Sequence, residues 1–280
     1  ETEEGGATRR ASTREFDSAL GKVAHKIQDE ILGSNFIFES FGNAKTVRND
    51  NSSRFGKYIK LQYTETNQLV SAYTDTFLLE KSRLLNVAKG ESNYHVLYQV
   101  IAGAASGDLT PEMAEKLKLS CSSPEEGFKR FRILNADDGE TYWKADESGQ
   151  EFSLSSLSKS LDDTGFTREE QEGLWTIVAV ILHLGNVTLG NGPESDNGGR
   201  VTMDCPTMPI PEIASLLGLE EYLFLSKMTL LEVRARGRSS VAVKELNVSE
   251  TMNNIKGYMK MLYSSLFSYI VHKINYSHSC

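Results

Sequence analysis

The sequence predicts an α/β chain that is mostly helical and carries one β-hairpin. Three observations lead there. Apolar residues recur at three- and four-residue spacing in long stretches, such as Tyr94, Leu97, Tyr98, Ile101 and Ala102, and Met252, Ile255, Met259, Leu262, Leu266, Tyr269 and Ile270. That period places them on one stripe of a helix. From Phe55 the period drops to two, with Ile59, Leu61 and Tyr63 on one face and Tyr58, Lys60 and Gln62 on the other. Helix-start signals precede the helical stretches: Ser12 with Glu15, Thr110-Pro111-Glu112, and Thr167 with Glu170. A length of 280 residues, 39% of them apolar, allows one large domain or two small ones around a sizeable core.

In chain order, residues 1–12 are polar without an apolar period and predict no fold. Phe16, Leu20, Val23, Ala24, Ile27 and Ile31 then form an amphipathic helix expected to stop at Gly33-Ser34-Asn35. The dense polar run 48–54 is expected to be a loop. The period-two segment turns at Thr66-Asn67-Gln68 into a second β-rich run, 69–77, which makes the hairpin. Helices follow over the Tyr94 stripe and from Pro111. Residues 167–183 are apolar on most sides and are expected deep in a helical core. Residues 191–200 read as a surface loop, 211–217 as a helix closed by Gly218, and the stretch from Ser249 as a long final helix.

Bulk properties narrow the function. A formal net charge of −8 argues against broad binding to a phosphate backbone, so no nucleic-acid partner is expected. Cys121, Cys205 and Cys280 are odd in number and widely spaced, which suggests neither a disulfide framework nor a zinc site and favours a reducing, cytoplasmic compartment. The most apolar run, 174–184, is far short of the roughly 20 residues that span a bilayer, and the acidic first residues resemble no targeting segment. His95 and His183 lie in apolar helical patterns and read as satisfied core histidines; Trp143 and Trp175 read as packing residues. Arg9-Arg10-Ala11-Ser12 has the form of a basic-directed phosphosite and equally of ordinary loop.

The polar run 49–54 has two readings. One is a solvated turn, since Asn, Asp and Ser bond their own backbone in turns. The other is a phosphate-facing loop, which needs a hydroxyl for Mg²⁺, amide or hydroxyl donors for phosphate oxygens, and a cation to lock it shut. Asn49, Ser52, Ser53 and Arg54 supply all three. Such a loop changes position with the γ-phosphate and moves what is attached to it, here the hairpin.

Phe41-Gly42-Asn43-Ala44-Lys45-Thr46, followed by Asn49-Asp50-Asn51-Ser52-Ser53-Arg54-Phe55-Gly56-Lys57, resembles the switch I region of myosin motor heads. The resemblance continues, in order, through 78–83, Asn93-Tyr94-His95, Tyr98-Gln99, 102–104, 181–186 and 262–267, and covers the chain from about residue 24 to its end. It implies the fold of a P-loop NTPase motor fragment, with ATP and Mg²⁺ as cofactors. Ser53 would ligate Mg²⁺ and Asn49 would donate to phosphates. Ser52 would bind nucleotide beside the attacking water, and Arg54 would pair with a switch II glutamate, giving these two the catalytic roles. Residues 1–20 would be the flexible loop 1. Residues 21–80 would hold the helix, switch I and a hairpin of the central transducer sheet, and 81–280 the mainly helical upper 50 kDa actin-binding subdomain. Arg234, Arg236 and Arg238 would lie in an actin-facing loop, with Ser239 or Ser240 near a position that some myosins phosphorylate. The implied partners are the actin filament and, through a neck, light chains or calmodulin; the implied location is the cytoskeleton.

No G-x-x-x-x-G-K-[ST] run occurs in the 280 residues, and no switch II segment of the Asp-Ile-x-Gly-Phe-Glu type. The chain is therefore expected to be a motor fragment that is inactive as an ATPase alone. Asn35-Phe36 stands where the family usually has Asn-Pro, and Ile255-Lys256-Gly257 where an Arg-Asp-Ala type run is expected, which suggests a divergent class. Kinesins share an Asn-rich loop ending Ser-Ser-Arg, but Phe55-Gly56 and the later segments separate this chain from them. The competing reading is a non-catalytic actin-binding or scaffold protein with a decayed motor site.

Overall fold

The computed structural model describes residues 27–28, 31–143, 152–192, 201–234 and 241–277, with only the backbone of 233, 234, 241, 242 and 277. Helix α1 covers 31–42 and leads into strands β1 (Asn43–Thr46) and β2 (Asn49–Ser53), then β3 (Gly56–Tyr63) and β4 (Leu69–Phe77). A 3₁₀ turn, Lys81–Leu84, precedes α2 (His95–Ser106), α3 (Pro111–Lys116), α4 (Pro124–Arg130), α5 (Leu154–Asp163) and α6 (Arg168–Leu184). Strands β5 (Thr188–Asn191) and β6 (Val201–Asp204) are followed by α7 (Ile210–Leu216) and α8 (Glu221–Thr229). Strands β7 (Leu230–Arg234) and β8 (Val241–Glu245) lead into α9 (Val248–Ser277). Among the described residues the strands form four two-stranded antiparallel sheets, which with the helices give the mixed, mostly helical class expected.

The caps read from the sequence form where the described residues reach. Thr110 Oγ1 accepts from Met113 N at the start of α3, and Thr167 with Glu170 closes a reciprocal capping box on α6. Gly218, at φ +66°, ends the turn after α7 in the left-handed region that glycine enters without a Cβ penalty. Ser123 and Ser153 cap α4 and α5 in the same way.

One core joins the helices. Val96, Leu97, Val100 and Ile101 of α2, Val178, Ile181 and Leu182 of α6, and Ile255, Met259 and Ile270 of α9 are all buried in it. Gly103 brings α2 and α5 together, because a Cβ there would lie 2.4 Å from a Leu154 methyl. Asn275 of α9 clasps β4 from behind: its Oδ1 accepts from Thr74 N (2.7 Å) and its Nδ2 donates to Thr74 O (2.8 Å). The hairpin β3–β4 thereby belongs to the same body as the final helix.

Three expectations change. The first helix does not stop at Gly33: residues 33–42 are helical, because Ile37, Phe38 and Phe41 bury against the core and outweigh the roughly 1 kcal/mol penalty of an interior glycine. The polar run is not a loop, since residues 49–53 are strand β2 paired with β1. The alternation over 56–63 does mark a strand, and no residue of β3 is buried. Residues 191–200 are not loop throughout, because Asn191 ends β5 opposite Val201; residues 193–200 lie outside the described residues, as do 1–20 and their Ser12 cap.

Candidate functional site

The site is built on β1–β2. A two-residue turn, Val47 and Arg48, joins Thr46 to Asn49, and the pairing steps from Thr46–Asn49 to Ala44–Ser52, which leaves one extra residue on β2. Short polar strands have little burial to set their register. This one is instead hung from the start of α2: Lys45 N donates to Ser92 Oγ and Ser92 N to Lys45 O (both 3.0 Å), and Ala44 bridges to Tyr94. Lys45 also pairs with Asp50 across the hairpin.

Ser52 and Arg54 share one side of the strand, with Arg54 Nη1 donating to Ser52 Oγ at 3.3 Å. Ser53 takes the other alternation, is exposed, and donates its hydroxyl proton to Phe55 O (2.9 Å). Asn49 is exposed as well, its Oδ1 accepting from Asn51 N (2.9 Å). The four residues singled out in the sequence therefore lie on one strand and its exit. Gly42 makes that exit tight: a Cβ on it would meet the Phe55 ring at 2.3 Å, and Phe55 packs edge-on to Phe267 of α9 (5.1 Å).

Arg54 already has a carboxylate partner. Its Nε donates to Glu80 Oε2 at 2.6 Å, and the same oxygen accepts from Arg83 Nε at 2.9 Å. Arg83, buried, continues to Glu91 Oε2 (2.9 Å) and Ser92 O (3.0 Å). The result is an alternating row Arg54–Glu80–Arg83–Glu91 running into the protein. Burial alone would raise the Glu80 pKa, but hydrogen bonds from Arg83 and Arg54 outweigh it and hold the carboxyl below its ordinary value. Burial likewise opposes charge on Arg83, and Glu80 and Glu91 reverse that. Leu78, at φ +58°, turns the chain out of β4 so that Glu80 N reaches Arg54 O (2.9 Å). Tyr94 donates to Glu80 O (2.8 Å) and stacks on Tyr263 of α9 (4.7 Å), whose hydroxyl donates to Phe41 O (2.8 Å). The cation of the hairpin is thus tied to the last helix through two aromatic rings.

Both histidines are satisfied as the sequence suggested. His183 Nε2 reaches Leu117 O (2.9 Å) and Nδ1 reaches Thr207 Oγ1 (2.8 Å); burial lowers its pKa to about 4. His95 is also lowered to about 4 by burial. Trp143 and Trp175 are buried packing residues. Of the three arginines assigned to a partner surface, Arg234 ends β7 in a hairpin with β8, while Arg236 and Arg238, with Ser239 and Ser240, lie outside the described residues.

A Mg²⁺-nucleotide fits this donor set. The Ser53 hydroxyl spends its proton on Phe55 O and presents lone pairs to solvent, which suits a hard cation. Among the described residues no group of three or more His, Cys, Asp or Glu could hold a metal, so further ligands would come from phosphate and water. Glu80 was not singled out from the sequence, although it lies in the quoted 78–83 segment; its proximity to Arg54 is set by the β3–β4 hairpin returning the chain 26 residues later. The pairing of Asn51 with His95 was missed for the same reason.

The family described as myosin head (motor domain) matches residues 7–280. The chain is 34% identical over 254 residues to Myosin-3 of Arabidopsis thaliana, covering 90% of this chain and 20% of that protein. It is 34% identical over 264 residues to unconventional myosin-Ib of Homo sapiens (92% and 21%) and 33% over 270 residues to Myosin-2 of Saccharomyces cerevisiae (95% and 16%). The chain spans about a fifth of the length of the curated relatives it matches. With nearly all of its length matched and its polar hairpin built around the resembling residues, the chain belongs to the myosin head (motor domain) family.

Proposed function

We propose that this chain supplies switch I and one jaw of the actin-binding cleft in an actin-based motor that couples ATP hydrolysis to movement. One observation carries the reading: Ser52 and Arg54 share one side of a strand, Ser53 faces solvent from the other, and the cation is braced by a row of ion pairs that ends in the core. Asn49 and Ser52 donate to phosphate oxygens, and Ser52 orients the attacking water. Ser53 holds Mg²⁺, which when bound neutralises charge on the phosphate oxygens. Arg54 leaves Glu80 for a switch II glutamate when the loop closes, so closure exchanges one charge-assisted bond for another. Because Arg54 is tied through Glu80, Tyr94 and Tyr263 to α9, the exchange is felt in the final helix.

In this reading residues 1–20 are loop 1. Residues 21–80 form the nucleotide-facing part, with β3–β4 in a transducer sheet of a P-loop NTPase. Residues 81–280 form the jaw, and Arg234, Arg236 and Arg238 meet acidic actin. Neck-bound light chains or calmodulin, a cytoplasmic and cytoskeletal location, and no nucleic-acid partner complete it. The 280 residues hold no phosphate cradle of the P-loop type, so this chain alone is expected to be inert.

The test is actin-activated ATPase activity of a motor head containing this chain. Ser53→Ala and Arg54→Ala are each expected to lower kcat on the order of 100-fold, the scale of losing one charge-stabilising group. A head that binds actin and hydrolyses no ATP would instead assign the chain to a non-catalytic scaffold.

A further inference from the structure

Behind β2 lies a polar chain, half-buried at Asn51 and Glu39 and buried at His95, that the reading above does not use. Asn51 turns its side chain inward. Its Nδ2 donates to Glu39 Oε2 of α1 (2.9 Å), and its Oδ1 accepts from Asn43 Nδ2 (2.9 Å) and lies 3.1 Å from His95 Nε2. On the far side of the ring, His95 Nδ1 accepts from the Trp143 indole N–H at 3.0 Å. An indole nitrogen only donates, so Nδ1 carries no proton and the imidazole proton sits on Nε2, aimed at Asn51. The ring is packed at a tilt on Phe152 as well (4.9 Å), which stacks on Phe36 (5.3 Å). Phe36 is the residue that departs from the family's Asn-Pro pair.

The chain of hydrogen bonds reaches the surface, because Asn51 N donates to Asn49 Oδ1. Trp143, His95, Asn51 and Asn49 thus form one directed row from core to strand. The row meets β2 beside its extra residue, where a slip of one position would exchange the faces that Ser52 and Ser53 occupy.

We propose that His95 is a positioning residue of the phosphate-facing hairpin: its tautomer is locked by Trp143 so that it holds Asn51, and through Asn51 the register of Asn49, Ser52 and Ser53. The proposal rests on the switch I reading. His95 itself touches no nucleotide, so its loss acts on alignment in the transition state more than on nucleotide capture.

The experiment compares steady-state ATPase of the motor head containing this chain with its His95→Phe, His95→Gln and Trp143→Phe variants, with Ser53→Ala alongside and thermal melting of each. His95→Phe keeps the ring and removes both hydrogen bonds; kcat is expected to fall roughly 10-fold with KM for ATP changed less than about 2-fold, since small misplacements of positioned groups cost rate. Glutamine places an amide N–H near the position of Nε2, so His95→Gln is expected to recover kcat to within about 3-fold of wild type. Trp143→Phe frees the tautomer and is expected between the two; it reads the same row if His95→Phe does not fold. Wild-type kcat in His95→Phe, or equal losses in the Phe and Gln variants, overturns the proposal while Ser53→Ala remains defective. Wild-type activity in Ser53→Ala overturns the switch reading and the proposal with it.

Discussion

The two hairpins β1–β2 and β3–β4 follow one another in the chain and are held in opposite ways. The first is mostly polar, with Ala44 its one buried apolar residue, and it is anchored from behind by Ser92, His95, Glu39 and the Glu80–Arg83–Glu91 row. The second is rich in aromatic and β-branched residues, and yet Tyr58 is 59% and Tyr63 56% exposed, with Lys60 and Asp75 paired in solvent. The polar hairpin is therefore the one wired into the core. The apolar hairpin is fastened by Asn275 at Thr74 and leaves Tyr58 and Tyr73 on one face, and Leu61 and Tyr63 on the other, exposed. Composition tells how much water a strand tolerates; it does not tell what grips it. That contrast fits a loop whose register must be held against its own indifference, beside a sheet edge with side chains to offer to further strands.

Removing Arg83 is the strongest way to break the contrast. Arg83→Met keeps the stem volume but leaves Glu91 without this cation and Glu80 with Arg54, and is expected to destabilise the protein by about 3 kcal/mol in urea unfolding, the scale for removing one partner of a buried ion pair. The polar hairpin should gain amide exchange well before β3–β4 does.

Acid should sharpen the same difference. His95 binds its proton only near pH 4 in the folded protein and near its ordinary 6.5 when unfolded, so the unfolded state takes up more protons between those values. Stability is complete above about pH 6.5 and declines as pH falls towards 4, by about 3 kcal/mol from His95 and a similar amount from His183. A pH series of urea midpoints, repeated with His95→Gln, should lose the His95 share and keep the other. A flat profile in the parent protein would contradict the neutral buried rings.

On the second hairpin the expected effect is the smallest. Lys60→Ala removes an ion pair that lies in solvent, and Leu61→Thr trims an exposed β3 side chain; neither should move the urea midpoint measurably. A clear loss from either would mean that β3 carries core-like packing and that the contrast is misdrawn.

Much of the architecture was legible in the residues because it is local. The Thr110 cap, the Thr167–Glu170 box, the 174–184 buried helix, the Asn67 turn and the Gly218 terminator each depend on neighbours within a few positions. The strand β2 was not legible, since the seven polar residues 48–54 satisfy every local rule for a loop, and only pairing with 43–46 makes 49–53 a strand. The helix running past Gly33 was hidden in the same way: glycine and serine signal a stop, and the burial of Phe38 and Phe41 cancels it.

By itself the sequence determined the helical class, the β3–β4 hairpin and the caps, and it singled out the four residues proposed for nucleotide chemistry, because periodicity, side-chain chemistry and motif order are properties of the linear chain. The tertiary structure alone decided that Arg54 meets Glu80, that Asn51 meets a histidine 44 positions away, and that Tyr94 lies on Tyr263. Those pairings depend on where the core folds distant segments together, and hydrogen bonds and ion pairs at 3 Å leave no mark in composition or period.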